Sequence, residues 1–316
     1  MGSELALVIT GPTASGKTGI AIEVAQAIGG EIISVDSRQV YQGMNIGTAK
    51  ATPAERAAVP HHGLDLLTPA ERYNAGRFAE DARAWIADIR QRGRVPILVG
   101  GTGFFLRALT HPMFSEPPLD AERKERLKQW LNRRPPEELL GWLGHLDPVG
   151  ARRVDDETGR QRIARMIEVA LLTGRPLHWW QQQPAEDEAP ISTLTIVLTL
   201  DRDALYRRIN QRVVDMVSAG LVQEVEALLA RGYDEHTPGL KTTGYIELIP
   251  YVRGETTLAE AIDAIQRATR GYARRQITWF RHQLAEPVIE VDAARPRAEV
   301  VELILREWRQ HNANRN

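Results

Sequence analysis

The chain has 316 residues, of which 43% are apolar and 26% charged, a composition typical of a folded protein with length for about two domains. It contains no cysteine, which excludes disulfides, thiolate metal sites and cysteine nucleophiles. The net charge is −1, so any surface for nucleic acid must come from local clustering of the 40 Lys and Arg residues. No apolar run approaches the roughly 20 residues that span a bilayer. The N-terminus shows no signal-peptide pattern, so we expect a cytoplasmic protein with no membrane contact.

The first hundred residues alternate strands with helices. Short apolar runs predict strands at 5–10, 31–35 and 95–99, and helical spacing predicts helices at 17–28 and 75–92. This alternation predicts a parallel sheet, in which ligands collect at the carboxyl ends of the strands. Gly11, Asp36 and Thr102 each follow such an end, so we expect the fold to bring them together.

The pattern changes at two Pro-rich polar segments, 111–120 and 181–190. The residues between them favour helices only. After the second segment we expect a strand at 194–200, one long helix with apolar residues in register from Leu205 to Val225, a helix at 257–284, a strand at 287–291 and a helix at 298–309. The predicted fold class is α/β, a P-loop NTPase-like parallel sheet flanked by helices, with an inserted all-helical domain. We place the core at 1–115 and 191–316 and the insertion at 116–190.

The segment "GPTASGKT", from Gly11 to Thr18, matches the phosphate-binding pattern G-x-x-x-x-G-K-[ST] between a strand and a helix. Its glycines let backbone N–H groups turn toward an anion, and the helix N-terminus adds partial positive charge. Lys17 places a charge on the phosphates, and Thr18 can hold Mg²⁺. The loop predicts a bound di- or triphosphate but does not identify the molecule that carries it.

Two polar residues at strand ends are candidates for chemistry. The third strand ends in "ILVGGT", without the acid usual in nucleotide hydrolases, and there is no N-K-x-D guanine signature. Asp36 can bind Mg²⁺ or accept a proton from a nucleophile, or it can simply cap a turn. Thr102 can contact a phosphate or a bridging oxygen, or it can cap the helix that follows.

Two helices carry arginine clusters. Residues 264–285 contain no Asp or Glu, and we expect one face with Arg267, Arg270, Arg274 and Arg281 and an opposite core face that includes Tyr272. A solvated basic face explains the apolar stripe, whereas the lack of acids favours phosphate binding. Arg274 is our candidate for contact with a diphosphate bound by the loop. Arg160, Arg162 and Arg165 form a second cluster, with the same two interpretations.

Several longer motifs point to one family. The segments "GPTASGKT", "ISVDSRQVYQGMNIGTAK", "LVGGTGFFLRAL", "RRQITWFR" and "PHHGLDL" resemble the tRNA dimethylallyltransferase (tRNA isopentenyltransferase) family, in order and over nearly the whole chain. The resemblance implies a Mg²⁺-dependent transfer from dimethylallyl diphosphate to the N6 amine of the adenosine 3′-adjacent to the anticodon, in the anticodon stem-loop of a tRNA. No segment suggests an oligomer interface, so we expect a monomer.

The resemblance also assigns roles to individual residues. It implies that Lys17, Asp36 and Thr102 are catalytic, with Asp36 as the base and Thr102 placing the bridging oxygen. The donor diphosphate would contact Gly11, Pro12, Thr13, Ala14, Ser15, Gly16, Lys17 and Thr18, with Thr18 on the metal. The tRNA would contact Asp36, Ser37, Arg38, Gln39, Thr102, Lys124, Gln161, Arg162, Ile163, Ala164, Arg165, Lys241, Thr242, Thr243, Gly244 and Tyr245. The chain departs from the family at Thr242, Thr243 and Ile246, where the family usually has an apolar pair before Gly-Tyr and a basic residue after it.

Two other functions share some of these features. A P-loop kinase acting on a small metabolite would have the same loop, size and a helical lid. A non-catalytic RNA-binding protein could use the loop as a nucleotide switch. The arginine-rich helix and the combined motifs disfavour the kinase, and the polar segment after Asp36 disfavours the pure binder.

Overall fold

The computed structural model describes residues 5–111, 120–154, 159–182 and 189–313, so most of both Pro-rich segments lies outside the described residues. The chain divides into two compact units, 1–111 together with 190–316, and 112–189. The strands are β1 Ala6–Thr10, β2 Gly30–Val35, β3 His61–His62, β4 Val95–Gly100, β5 Thr193–Thr199 and β6 Val288–Asp292. The helices are α1 Lys17–Ile28, α2 Pro53–Ala58, α3 Ala75–Gln91, α4 Gly103–Thr110, α5 Ala121–Asn132, α6 Pro136–Leu146, α7 Pro148–Ala151, α8 Arg160–Thr173, α9 Leu177–Gln181, α10 Arg202–Ser218, α11 Leu221–Ala230, α12 Ile249–Val252, α13 Leu258–Gln283 and α14 Arg297–Ala313.

The larger unit is built on one parallel sheet of six strands in the order β3-β2-β4-β1-β5-β6. Strands β1 and β2 are buried along their whole length, as expected for a parallel sheet covered by helices on both faces. Helices α1 and α14 contribute to the core on one side through residues such as Val24 and Ile304. The predicted fold class is confirmed by this architecture and by the helical composition of the second unit.

The carboxyl ends of β2, β4 and β1 lie side by side, as the sequence predicted. The backbone N–H of Thr102 donates to the carbonyl of Val35 over 3.1 Å, which links the end of β4 to the end of β2. The hydroxyl of Thr10 donates to the carbonyl of Gly100 over 2.8 Å, which links β1 to β4. The loops that follow these strands are therefore held at one edge of the sheet.

The predicted long helix after β5 is wrong, because it is two helices. Its interruption falls at Gly220, whose φ of 104° belongs to the left-handed region that favours glycine. Strand β3 and helix α2 were not predicted from the sequence. Strand β3 has only two residues, too few for a periodic signal.

The second unit is helical, with α5 to α9 around a small apolar core. Its buried centre is formed by Leu131, Leu139, Leu143, Ile163, Met166 and Ile167. No helix within the described ranges is long and apolar enough to cross a membrane.

Candidate active site

A cavity of about 1270 Å³ opens at the carboxyl edge of the sheet in the larger unit. Its walls come from the phosphate loop, the segment after β2, residues 45–56, the loop at 241–244 and one face each of α10 and α13. This placement follows the general rule for open parallel sheets, in which ligands bind beyond the strand ends.

The phosphate loop adopts a conformation that needs its glycines. Gly11 has φ 144°, and a side chain there would place its Cβ 2.5 Å from the carbonyl oxygen of Leu198. Gly16 has φ 89° and stands immediately before α1. Of the predicted donor-binding residues, Thr13, Ala14, Gly16, Lys17 and Thr18 line the cavity, while Gly11, Pro12 and Ser15 are buried and shape the loop.

Lys17 is the principal cation of the loop. Its ammonium donates to the carbonyl of Gly11 over 2.9 Å and to that of Pro12 over 2.8 Å. Burial lowers the pKa of Lys17 to about 7; nearby Arg212 lowers it further, and Asp36 acts in the opposite direction. An anion placed beside Lys17 would favour its charged form.

Asp36 lines the cavity at the end of β2, so the sequence placed it correctly. One carboxylate oxygen, Oδ1, accepts the backbone N–H of Arg38 at 2.8 Å and that of Gln39 at 3.4 Å. Asp36 therefore caps the turn that follows β2, the structural role that the sequence left open. Both of these capping hydrogen bonds are accepted by Oδ1. This capping does not exclude a chemical role for Oδ2.

Thr102 precedes α4 but does not cap it. Its hydroxyl accepts the backbone N–H of Ser37 over 3.1 Å, which ties it to the segment that carries Asp36. Tyr272 was expected in the core, and this expectation is wrong: its side chain is 36% exposed, lines the cavity and interacts with Thr102. Burial of its hydroxyl and the charge of Asp36 raise the pKa of Tyr272 to about 12, so the hydroxyl is a hydrogen-bond donor at neutral pH.

Arg212 is a cavity residue that the sequence analysis missed. It lies on α10, between the residues that give this helix its apolar register, and it interacts electrostatically with both Lys17 and Asp36. Burial lowers the pKa of Arg212, yet guanidinium groups stay charged in proteins. The signal in the sequence was a basic residue directly beside the buried Val213.

The basic face of α13 is only partly open to an anion. Arg267 forms an ion pair with Asp263, and Arg270 donates to the side-chain oxygen of Asn210 over 2.7 Å. Arg275 lines the cavity, whereas Arg274 is exposed outside it. Arg274 therefore lies outside the cavity wall, and its contact with the diphosphate stays a prediction.

The segment after Asp36 was expected to contact the tRNA. Ser37, Arg38 and Gln39 all line the cavity. The amide of Gln39, however, is satisfied within the protein: its oxygen accepts from the hydroxyl of Ser34 at 2.8 Å, and its nitrogen donates to the carbonyls of Thr48 and Ala49 at 3.2 Å each. Gln39 therefore holds the cavity wall together.

The segment from Lys241 to Tyr245 is split between cavity and core. Lys241 is exposed and lines the cavity together with Thr242, Thr243 and Gly244. The hydroxyl of Thr242 donates internally to the carbonyl of Gly239 over 2.6 Å. Tyr245, also predicted to contact tRNA, is 0% exposed, so its side chain is a core residue in this structure.

The predicted RNA residues of the helical unit also differ in exposure. Gln161 and Arg162 are exposed on α8, and Ala164 is half-buried. Arg165 pairs with Glu168, and Ile163 is 5% exposed, with its side chain in the apolar core of this unit. Lys124, on α5, is half-buried.

The metal prediction can be compared with the donor groups around the cavity. Thr18 and Asp36 both line it. In the described ranges no three His, Asp or Glu side chains are grouped so that they alone could hold a metal ion. Mg²⁺ keeps several waters and is commonly bound through substrate phosphates with few protein ligands, so the Mg²⁺ site stays a prediction.

Comparison with known proteins identifies the family. The chain matches the family model described as IPP transferase over residues 39–283 and that described as Isopentenyl transferase over residues 4–61. A tRNA dimethylallyltransferase of Geobacter metallireducens is 43% identical over 275 residues, which cover 87% of this chain and 89% of the relative. Another, of Geobacillus kaustophilus, is 42% identical over 304 residues and covers 95% of both.

Solved structures agree. A tRNA isopentenylpyrophosphate transferase of Bacillus halodurans superimposes with a TM-score of 0.72 at 35% identity, covering 98% of this chain and 97% of that one. A eukaryotic dimethylallyltransferase described as acting on tRNA superimposes with a TM-score of 0.77 at 27% identity, covering 92% and 74%. With a phosphate loop, an acid and a basic helix around one cavity, and with these relatives along most of its length, the chain belongs to the tRNA dimethylallyltransferase family of prenyltransferases.

Proposed function

We propose that this protein transfers a dimethylallyl group from dimethylallyl diphosphate to N6 of the adenosine 3′-adjacent to the anticodon of a tRNA and releases diphosphate. One observation carries the proposal beyond family membership. A single cavity contains the phosphate loop with Lys17 and Arg212, the carboxylate of Asp36, and the exposed Lys241. A site for an anionic leaving group, a proton acceptor and a basic residue for RNA are therefore adjacent.

The proposed reaction breaks the bond between C1 of the donor and its bridging oxygen, and the electron pair leaves with the diphosphate. Negative charge grows on that oxygen as the bond lengthens, so cations fixed in advance lower the barrier. Lys17 and Arg212 are such cations, and the hydroxyl of Tyr272 is a protonated donor near Thr102. Thr102, tied to Ser37, would help to place the bridging oxygen.

The nitrogen of the adenine forms the new bond to C1 and must then lose a proton. We assign that proton to the carboxylate of Asp36, whose Oδ1 is held by the backbone N–H groups of Arg38 and Gln39. The base must leave the anticodon-loop stack to reach this carboxylate. The walls formed by Ser37 to Gln39 would surround it.

We further propose that Mg²⁺ is the cofactor, with the hydroxyl of Thr18 and the donor's phosphate oxygens as its ligands. When bound, it would neutralise charge on the leaving diphosphate. Lys17, Thr18, Asp36, Arg212 and Tyr272 line one cavity of one chain, and Thr102 is bonded to Ser37 in its wall, which supports activity as a monomer. Its substrate, tRNA, supports the cytoplasm as its compartment.

A transfer assay tests the proposal. Purified protein is incubated with dimethylallyl diphosphate carrying label in the dimethylallyl group, Mg²⁺ and bulk tRNA, and the RNA is digested to nucleosides. We expect label in an N6-modified adenosine and in no other nucleoside. Label absent from RNA, together with transfer of the γ-phosphate of ATP to a small metabolite, would establish the kinase alternative instead.

A further inference from the structure

Gln276 connects two loops of the active site that are far apart in the sequence. It lies on the inner face of α13 and is 6% exposed. Its side-chain oxygen accepts the backbone N–H of Thr13 in the phosphate loop over 2.9 Å. Its side-chain nitrogen donates to the carbonyl of Gly101, the residue before Thr102, over 2.9 Å. One buried amide is thus satisfied at both ends by backbone groups of the site.

The glycines opposite α13 show how closely the helix approaches the strand ends. A Cβ on Gly101 would lie 2.2 Å from the side-chain nitrogen of Gln276. A Cβ on Gly103 would lie 2.2 Å from the ring of Trp279, one turn further along the same helix. The loop after β4 can therefore reach Gln276 only because it lacks side chains at these positions.

The bond to Gln276 occupies the N–H of Thr13, which is therefore not available to an anion. The N–H of Ser15 donates to the carbonyl of Pro12 over 3.3 Å. Thr13 and, after it, Ala14, Gly16, Lys17 and Thr18 line the cavity. The bond to Gly101 fixes the neighbouring Thr102 relative to that loop. The two hydrogen bonds together set the distance between the phosphate loop and the Thr102 segment.

We propose that Gln276 is a positioning residue for the donor diphosphate: it borders the cavity, but both ends of its amide are bonded to backbone groups, so it acts by aligning the phosphate loop with the Thr102 segment. This inference rests on the proposed function, because it takes the ligand of the loop to be a diphosphate. Gln276 belongs to the "RRQITWFR" segment, and the resemblance to the family attached no role to this residue.

The first test replaces Gln276 with methionine, which keeps the length of the side chain and removes both hydrogen bonds. Binding of inorganic pyrophosphate with Mg²⁺ is measured by calorimetry, and KM is measured separately for dimethylallyl diphosphate and tRNA. We expect the pyrophosphate Kd and the donor KM to rise about tenfold, as for the loss of one to two hydrogen bonds, while the KM for tRNA stays unchanged. The matched control is Gln266→Met on the same helix, which removes a bond to the carbonyl of Asn210 away from both loops. It should leave both quantities unchanged.

The second test perturbs the same pair from the opposite side. Gly101→Ala should displace the amide of Gln276 and raise the pyrophosphate Kd by a similar factor. In a Gln276→Ala background the space beside Gly101 is no longer filled by the amide. In that background Gly101→Ala should cause a much smaller further rise in the pyrophosphate Kd. Additive effects of the two changes would overturn the proposal, as would an unchanged pyrophosphate Kd in a folded Gln276→Met protein or a parallel rise in both KM values.

These outcomes can be separated from failure of the proposed function. If wild-type protein transfers no label to RNA but binds pyrophosphate in a way that depends on Gln276, the proposed reaction is wrong and the role of Gln276 stands. If transfer occurs normally in Gln276→Met at every donor concentration, the role of Gln276 is wrong and the reaction stands.

Discussion

The hydroxyl of Tyr245 donates a 2.5 Å hydrogen bond to the carboxylate of Glu224. The same carboxylate accepts the backbone N–H groups of three consecutive residues, Asn45, Ile46 and Gly47, at 2.9–3.1 Å. Gly47 is required here, because a Cβ would lie 2.4 Å from the ring of Tyr245. The cavity wall at residues 45–47 is thus hydrogen-bonded to the carboxylate of Glu224 on α11. It also packs against the buried ring of Tyr245, which follows the 241–244 loop.

This arrangement predicts that Glu224 is worth more to stability than Tyr245. Tyr245→Phe removes one hydrogen bond and should lower the free energy of unfolding by about 1 kcal/mol. Glu224→Ala leaves several donors without an acceptor and should cost about 2–3 kcal/mol. Urea unfolding of both single variants and of the double variant provides the measurement. If the two single effects simply add, the hydrogen bond between these side chains does not contribute.

Asp36 should be needed for transfer but not for binding of the diphosphate. We expect Asp36→Ala to reduce the rate of transfer at least about a hundredfold, as for loss of a general base, while the pyrophosphate Kd changes little. Asp36→Asn keeps an oxygen for the N–H groups of Arg38 and Gln39, so it should be equally inactive with less loss of stability. Equal loss of pyrophosphate binding in both variants would make Asp36 a metal ligand instead of the base.

Arg212 should contribute directly to binding of the leaving group. We expect Arg212→Ala to weaken pyrophosphate binding about 10- to 100-fold, because it removes a charge-assisted hydrogen bond from a partly buried site. Arg207→Ala is the matched control, since Arg207 is an exposed arginine on the same helix and does not line the cavity. Calorimetric titration of both variants distinguishes a specific interaction from a change in overall charge, which is identical in the two.

Binding of the diphosphate should depend on pH through Lys17. Its pKa of about 7 in the folded protein lies below the ordinary 10.5. Between pH 7 and pH 10.5 the folded protein therefore binds fewer protons at Lys17 than the unfolded chain does. As a result, Lys17 makes the free energy of unfolding rise with pH in this range. A bound anion favours the charged form, so binding at pH 8 should take up a proton and weaken as the pH rises from about 7 to about 9. Lys17→Arg should remove this contribution, because arginine stays protonated.

Calorimetry in buffers of different ionisation enthalpy measures that proton uptake. Pyrophosphate titrates in the same range, but its own protons are common to both proteins. The difference between wild type and Lys17→Arg therefore isolates Lys17. Identical proton uptake in the two proteins would mean that Lys17 is already charged before the anion binds.

Arg162 should bind an RNA phosphate. Arg162→Ala should weaken tRNA binding and reduce the slope of log affinity against log salt concentration by about one unit for each phosphate that is no longer bound. Arg126→Ala provides the comparison, because Arg126 is exposed in the same helical unit but paired with Glu122. An unchanged slope for Arg162→Ala would place Arg162 on an ordinary solvated surface.

Much of the site follows from the sequence, because its residues occupy strand ends. A strand end is recognisable locally, and the parallel order of β2, β4 and β1 then brings Asp36, Thr102 and the phosphate loop together. The sequence did not reveal which arginines face the cavity, because that depends on the rotation of each helix about its own axis. Arg212 and Arg275 face the cavity because of the rotation of α10 and α13 about their axes, and a register error of one residue exchanges Arg275 for Arg274.

Local sequence patterns also did not predict the burial of individual side chains in the segments assigned to RNA. Tyr245 and Ile163 stand beside exposed basic residues in segments assigned to RNA, yet both are core residues. Much of the apolar surface that covers them comes from distant parts of the chain, such as Val40 and Val213 for Tyr245 and Leu131 and Leu143 for Ile163.

The carboxylate of Glu224 also has a consequence for selectivity. Successive backbone N–H groups that converge on one point form a concavity suited to an anion, and residues 45–47 form such a concavity in the cavity wall. Because an internal carboxylate occupies it, a phosphate of the polynucleotide or a displaced diphosphate finds no second resting place there. The N–H groups of residues 45–47 therefore do not compete with the phosphate loop for a diphosphate.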